Sequence, residues 1–302
     1  MQRCTPFLLA FLVCAGAAPV FGQTPDPSSR GLLAEALRAP VTPHPPGFDL
    51  HYVKHVDAMG IPVLGSAAVS DLALQMARDL VIEMLAHRPD ARTEMMAQGF
   101  RLVVMSPSEM TTDVPEHSRW RVPAIDDWRL TDGERAGYDE PGGLGSRTGP
   151  EYWDGRARGM DDNPTTCAEE NVLALEGDRY RGENICVHEF VHSIMQYGLK
   201  FSDPELYARI DAAYKAAMDE GLWPGQYART NPKEYFAEAA QTYFWSNIEF
   251  QHGDRCIQTP EDLERYDPRV FALIQEVFPS RHLRSDVYHG RNLRERCESS
   301  PS

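Results

Sequence analysis

Two histidines four positions apart bracket a glutamate in the run His188-Glu189-Phe190-Val191-His192. No other stretch restricts the fold of this chain as strongly. Residues i and i+4 differ by about 40° around a helix, so a helix here aims both imidazoles the same way. The neighbouring apolar residues Ile185, Val191, Ile194 and Leu199 must then anchor that helix in a core. Two neutral imidazoles on one face can share a Zn²⁺ ion at ~2.0–2.1 Å. Glu189, one residue on, reaches the open side of such an ion and suits the role of general base. One zinc ion per chain is expected.

A site of this kind needs a third protein ligand. One class of zinc peptidase supplies a histidine six positions after the second, but Gly198 stands there. That class also needs a glycine where this chain has Met195, so it is excluded. The run Asn231-Pro232-Lys233-Glu234-Tyr235-Phe236-Ala237-Glu238 offers two carboxylates instead. Glu234 and Glu238 are i and i+4 on one helical face. One would bind the metal while the other hydrogen-bonds a ligand histidine, and spacing alone does not choose between them. Glu234 also fits the third position of a helix cap built on Asn231 and Pro232. Tyr227 reads either as a packed side chain or as a phenol that donates to an oxyanion. Arg229 reads equally as a substrate contact or a surface ion pair.

The segment Tyr227-Ala-Arg-Thr-Asn-Pro-Lys-Glu234-Tyr-Phe-Ala-Glu238, following His188-Glu-Phe-Val-His192, resembles the catalytic core of the anthrax lethal factor-type metallopeptidases. These are gluzincins, in which two histidines and a glutamate hold zinc. Glu234 stands 42 positions after His192, a gap similar to that family's. The resemblance covers Cys186 to Trp245, about a fifth of the chain. Pro232 and Lys233 depart from it, standing where the family is more acidic. It implies a zincin-like domain with His188, His192 and Glu234 as zinc ligands and Glu189 as the base. It places Glu238 behind a ligand histidine and Tyr227 across the zinc as a catalytic aid. The activity implied is zinc-dependent hydrolysis of an extracellular peptide or protein. Two other readings use the same scaffold: hydrolysis of a non-peptide extracellular polymer, and a non-catalytic binding protein.

The N-terminus fits an exported protein. Arg3 is the only charge in the first 25 residues, and an apolar run follows it. In Val20-Phe21-Gly22, small or short residues at the −3 and −1 positions place signal cleavage after Gly22. Residues 23–47 form a Pro-rich linker, and a single domain is expected over 48–298. Of the six cysteines, Cys4 and Cys14 leave with the signal. The remaining four allow three pairings that sequence alone does not choose between, and proximity favours Cys167 with Cys186 and Cys256 with Cys297. The formal charge of −15 argues against nucleic acid and against an anionic membrane surface, both of which need a basic face.

Hydrophobic periodicity predicts helices over Ser66–His87, Pro89–Gln98, Ile185–Leu199, Asp203–Glu220, Pro232–Trp245 and Pro260–Phe278. Gly31–Arg38 reads as a short helix as well. Phe100–Met105 is a strand, and Asn171–Leu175 reads as a second, shorter one that either lines the substrate or belongs to the core. Residues 106–164 carry many Pro, Gly and Asp residues and read as irregular, a rim or lid. Trp223, Phe236, Phe244 and Trp245 read as packing residues. Strands early and helices late make an α+β class, with a small mixed sheet and a helical C-terminal half. The histidines outside the motif (His44, His51, His55, His87, His117, His252, His282 and His289) read as solvated or structural, with His252 held in reserve.

Overall fold

A computed structural model describes residues 40–43, 47–127, 130, 132–278 and 280–289. The expected export signal, the Gly31–Arg38 helix and Cys297 lie outside the described residues. Among the described residues, the first regular structure is a hairpin that periodicity did not predict, β1 (Lys54–Ala58) against β2 (Ile61–Gly65), antiparallel. Its two turn residues, Met59 and Gly60, both take positive φ, 56° and 94°. That geometry matches the right-handed twist of paired strands and is usually given to Asn-Gly or Asp-Gly. Here Asp57 helps by accepting the Gly60 amide at 3.0 Å.

Two helices, α1 (Asp71–Leu85) and α2 (Pro89–Ala97), then cross over to β3 (Leu102–Met105), which runs parallel to β2. Ser70 caps α1 by accepting the Ala73 amide at 3.2 Å. The stripe Ala73, Met76, Leu80 and Met84 is buried, as its spacing requires. β4 (Thr165–Ala168) adds to β3 in parallel, giving a sheet of order β1-β2-β3-β4. Alternation splits β3 between two layers. Leu102 and Val104 join the main core with the helices, while Val103 and Met105 pack with Tyr52, Leu64 and Val114 on the opposite face.

Residues 106–164 are mostly irregular, but they carry a helix, α3 (Gly149–Arg156), with a Thr148–Glu151 capping box. They also have an apolar cluster of their own, Leu130, Leu144, Tyr152 and Trp153. Asn171–Leu175 is not a strand. Glu169–Val172 is a single helical turn and Ala174 has φ 52°, so the chain turns where extension was expected. The strand of this region is β4, immediately before it, whose outer side bridges antiparallel to Met160.

The rest is helical apart from one hairpin: α4 (Ile185–Ser193), α5 (Pro204–Asp219), α6 (Pro232–Tyr243), β5 (Phe250–His252) with β6 (Arg255–Ile257), α7 (Pro260–Tyr266) and α8 (Pro268–Val277). α4 runs on through a π-helical turn, Ile194–Leu199, which packs on α2. Gly198 allows that approach, since a Cβ there would stand 2.9 Å from the Ala91 Cβ. α7 and α8 replace the single helix expected over Pro260–Phe278. Asp267 precedes a proline, which disfavours helical backbone, and it sits at φ −137°, ψ 79°. Trp223, Phe236 and Phe244 are buried. The fold is α+β, with a small mixed sheet and a helical second half. Among the described residues, no helix is long and apolar enough to cross a membrane.

Candidate metal centre

α4 and α6 pack together and turn three side chains toward one point. His188 Nε2 lies 2.9 Å from Glu234 Oε2, His192 Nε2 lies 3.0 Å from the same oxygen, and the two Nε2 atoms are 3.0 Å apart. All three residues are buried. Local sequence sets up both helices for this. Asn184 caps α4 by accepting the Val187 amide at 3.1 Å. Asn231 caps α6 by accepting from Lys233 and Glu234 at 2.9 and 3.0 Å. Glu234 is thus both the third residue of its helix and a member of the buried group. The two sequence readings of that residue are compatible.

The donor set fits a cation. His188 Nδ1 stands 2.8 Å from Gln241 Oε1, while Gln241 Nε2 is committed to the Asn184 carbonyl at 3.0 Å. An amide oxygen can only accept, so Nδ1 carries the imidazole hydrogen and Nε2 presents its lone pair to the centre. Lone pairs and a carboxylate oxygen converging at this range repel unless positive charge lies among them. A tetrahedral ion with ~2.0–2.1 Å bonds sets its ligand atoms about 3.3–3.4 Å apart, close to the edges observed. Burial works against a charged His188, yet the hydrogen bond and charge of Glu234 outweigh it and raise that imidazole well above its ordinary value, so a proton and a metal ion compete for the Nε2 lone pair. Burial likewise raises Glu234, but His192 and His188 outweigh it and hold the carboxyl well below the usual range. This buried His-His-Glu group can hold a metal ion.

Glu238 is not the hydrogen-bond partner of His188. Its Oε1 is 3.8 Å from Nδ1, and its Oε2 accepts from Asn247 Nδ2 at 3.0 Å. Glu238 still pairs electrostatically with His188 at 3.8 Å, while Gln241 makes the hydrogen bond to Nδ1. The missed signal was helical spacing: Glu234, Glu238 and Gln241 fall at i, i+4 and i+7 on one face of α6. His192 Nδ1 is buried and makes no hydrogen bond among the described residues. His252, held in reserve, hydrogen-bonds Tyr266 Oη at 2.9 Å and takes no part in the group.

Glu189 follows His188 on α4 and packs under the segment that bridges to β4. A Cβ on Gly159 would lie 3.1 Å from Glu189 Cγ and 2.7 Å from Ile185 Cγ2, so only glycine fits there. Burial pushes the Glu189 carboxyl up to about 7, with His188 and His192 pulling the other way. The Tyr227 ring lies 6.5 Å from the His188 ring and is half exposed. Its burial, followed by the charge of Glu234, raises the phenol, so it stays a donor at neutral pH. Arg229 Nη1 donates to the Leu222 carbonyl at 2.8 Å.

Two ties hold the frame. Cys167 of β4 and Cys186 of α4 form a disulfide. Asn184 is the second tie: its Nδ2 donates to Asp286 Oδ1 at 2.7 Å, its backbone amide donates to Ser246, and its carbonyl accepts from Gln241. Away from the centre, Cys256 is also disulfide-bonded. No protein-family model matches the chain, and no curated protein is significantly similar to it.

Proposed function

We propose that the chain is a zinc-dependent hydrolase, and specifically a gluzincin-like metallopeptidase on a zincin-type scaffold. The observation that carries this reading is the triangle of His188 Nε2, His192 Nε2 and Glu234 Oε2, with edges of 2.9, 3.0 and 3.0 Å. Two imidazoles and one carboxylate are a donor set that suits zinc better than magnesium or calcium. Bound there, zinc supplies Lewis acidity.

The chain's own groups account for the remaining steps. Glu189 accepts a proton from the attacking water and returns it to the leaving amine. Tyr227 donates a hydrogen bond to the carbonyl oxygen as negative charge develops on it. Gln241 keeps the His188 hydrogen on Nδ1 and so fixes the ring's orientation. The disulfides and the expected export signal agree with a substrate met outside the reducing cytosol, an extracellular peptide or protein. Glu189→Gln should keep its zinc while hydrolysis of a diverse peptide mixture falls by about 10²–10⁴-fold. Near-normal turnover by a zinc-loaded variant would overturn the mechanism. Failure of the unaltered chain to cut any peptide would favour the polymer-hydrolase or binding-protein reading.

A further inference from the structure

A cavity of about 810 Å³ is lined in part by residues that adjoin the candidate metal ligands along the chain. Tyr197, Lys200 and Phe201 come from the continuation of α4, and Lys233 immediately precedes Glu234. Met160, also in the wall, follows the glycine packed on Glu189. The opposite wall is Arg119-Trp120-Arg121.

The charge of this cavity runs against that of the molecule. The chain as a whole carries −15. The cavity lining carries four basic residues, Arg119, Arg121, Lys200 and Lys233, against two acidic ones, Asp161 and Asp162. Asp161 lies 3.9 Å from Lys233, and Asp162 accepts from Tyr197 Oη at 3.3 Å and from the Asn163 amide at 2.8 Å. Arg119, Arg121 and Lys200 make no ion pair among the described residues. A cleft walled by one sign of charge focuses its field and concentrates ligands of the other sign.

The cationic wall is also held in place. Trp120 stacks on His117 with ring centroids 3.8 Å apart and leans on Trp153 at 5.0 Å. Trp153 Nε1 donates to the Arg121 carbonyl at 2.9 Å. The Trp120 carbonyl comes so close to Gly149 that a Cβ there would stand 1.8 Å from it. The backbone bearing the two arginines is therefore fixed before any ligand arrives, which reduces the ordering cost of binding. Phe201, half exposed, adds apolar surface to the cavity.

We propose that this cavity is the substrate-selecting subsite and that it takes an acidic side chain, Asp or Glu, of a polypeptide. The carboxylate meets Arg119, Arg121 and Lys200, and its apolar stem and neighbours lie on Trp120 and Phe201. A basic side chain would meet three like charges, and a wholly apolar one would strip water from cations without replacing it. This inference rests on the hydrolase reading, yet binding tests it separately from turnover.

The test uses three labelled hexapeptides that differ only in a central Glu-Glu, Gln-Gln or Lys-Lys pair. Their binding to the full-length, zinc-loaded Glu189→Gln chain is measured by fluorescence anisotropy, and their cleavage is measured with the unaltered chain. The acidic peptide should bind about 10-fold or more tightly than the neutral one, with the advantage shrinking as salt rises. Arg121→Glu and Lys200→Glu, each checked for fold by circular dichroism, should move the preference toward the Lys-Lys peptide. Equal binding of the three peptides would overturn the proposal, as would an unchanged preference in both folded charge-reversed variants. Tighter binding of a hexuronate oligosaccharide would overturn the polypeptide assignment. Selective binding without cleavage would sink the peptidase reading and leave the acidic subsite standing. Cleavage without selectivity would do the opposite.

Discussion

At the scale of single residues, the centre depends on a neutral amide as much as on its charged groups. Gln241 is a two-way adaptor: its oxygen fixes the His188 tautomer and its nitrogen is anchored on the Asn184 carbonyl. Gln241→Ala should weaken metal binding by about 10–100-fold, read by competition with a chromophoric chelator. Glu238→Gln should have a smaller effect, because Glu238 stands 3.8 Å from the imidazole it was expected to hold. A larger loss for Glu238→Gln would reverse these roles. His188 and His192 were legible in the sequence as a candidate metal pair because their chemistry is encoded in a spacing within one helix turn. Glu234 needed the added context of a downstream helix. Gln241 was missed because an amide carries no chemical signature of its own, and its role appears only once α6 is laid against α4.

Elements were readable where a long stripe of apolar residues decided them, as in α1 and α5. They were misread where one backbone position overrode the stripe. Asp267 is the clearest case. Periodicity continues across it, yet the following proline turns the backbone and sends its carboxylate into the core. There it accepts from Tyr235 Oη at 2.6 Å and from Trp223 Nε1 at 3.1 Å. Asp267→Ala should leave both buried donors unpaired and cost about 2–4 kcal/mol, measured by urea denaturation. A loss under about 1 kcal/mol, the worth of a single typical hydrogen bond, would mean those donors find other partners. The β1–β2 hairpin escaped for a related reason. Met59 adopts a backbone conformation normally left to Asn, Asp or Gly, so no turn signal announced it. Asn171–Leu175 failed the other way: a short apolar run looked extended, but helical turn bonds claimed it.

For the molecule as a whole, stability should depend on pH through His117. Burial lowers this imidazole below 6.5, against the opposing bond to the Thr111 carbonyl at 3.1 Å. The unfolded chain therefore takes up this proton first as the solution is acidified. Stability falls as pH drops from about 6.5 toward the lowered folded value, and levels off below it. His117→Asn, which keeps a donor for Thr111, should flatten that part of a melting-temperature profile. An unchanged slope would assign the proton to another group. His117 also stacks on Trp120, so keeping this imidazole neutral in the fold keeps the wall of the cationic cavity packed.

The Asn184 junction has a mechanical consequence. The segment around Asp286 touches none of the three metal-facing atoms, yet it grips the first turn of the helix that carries two of them. It is a latch: the far end of the described chain sets how firmly the metal helix is seated. Asp286→Ala should therefore quicken release of a bound metal ion while every candidate ligand stays chemically intact, and stopped-flow chelation would register it. A release rate equal to that of the unaltered chain would mean that the helix is seated without the Asp286 bond. If the latch holds, a proteolytic nick near this end would switch the centre off from a distance, with no change to any residue that faces the ion.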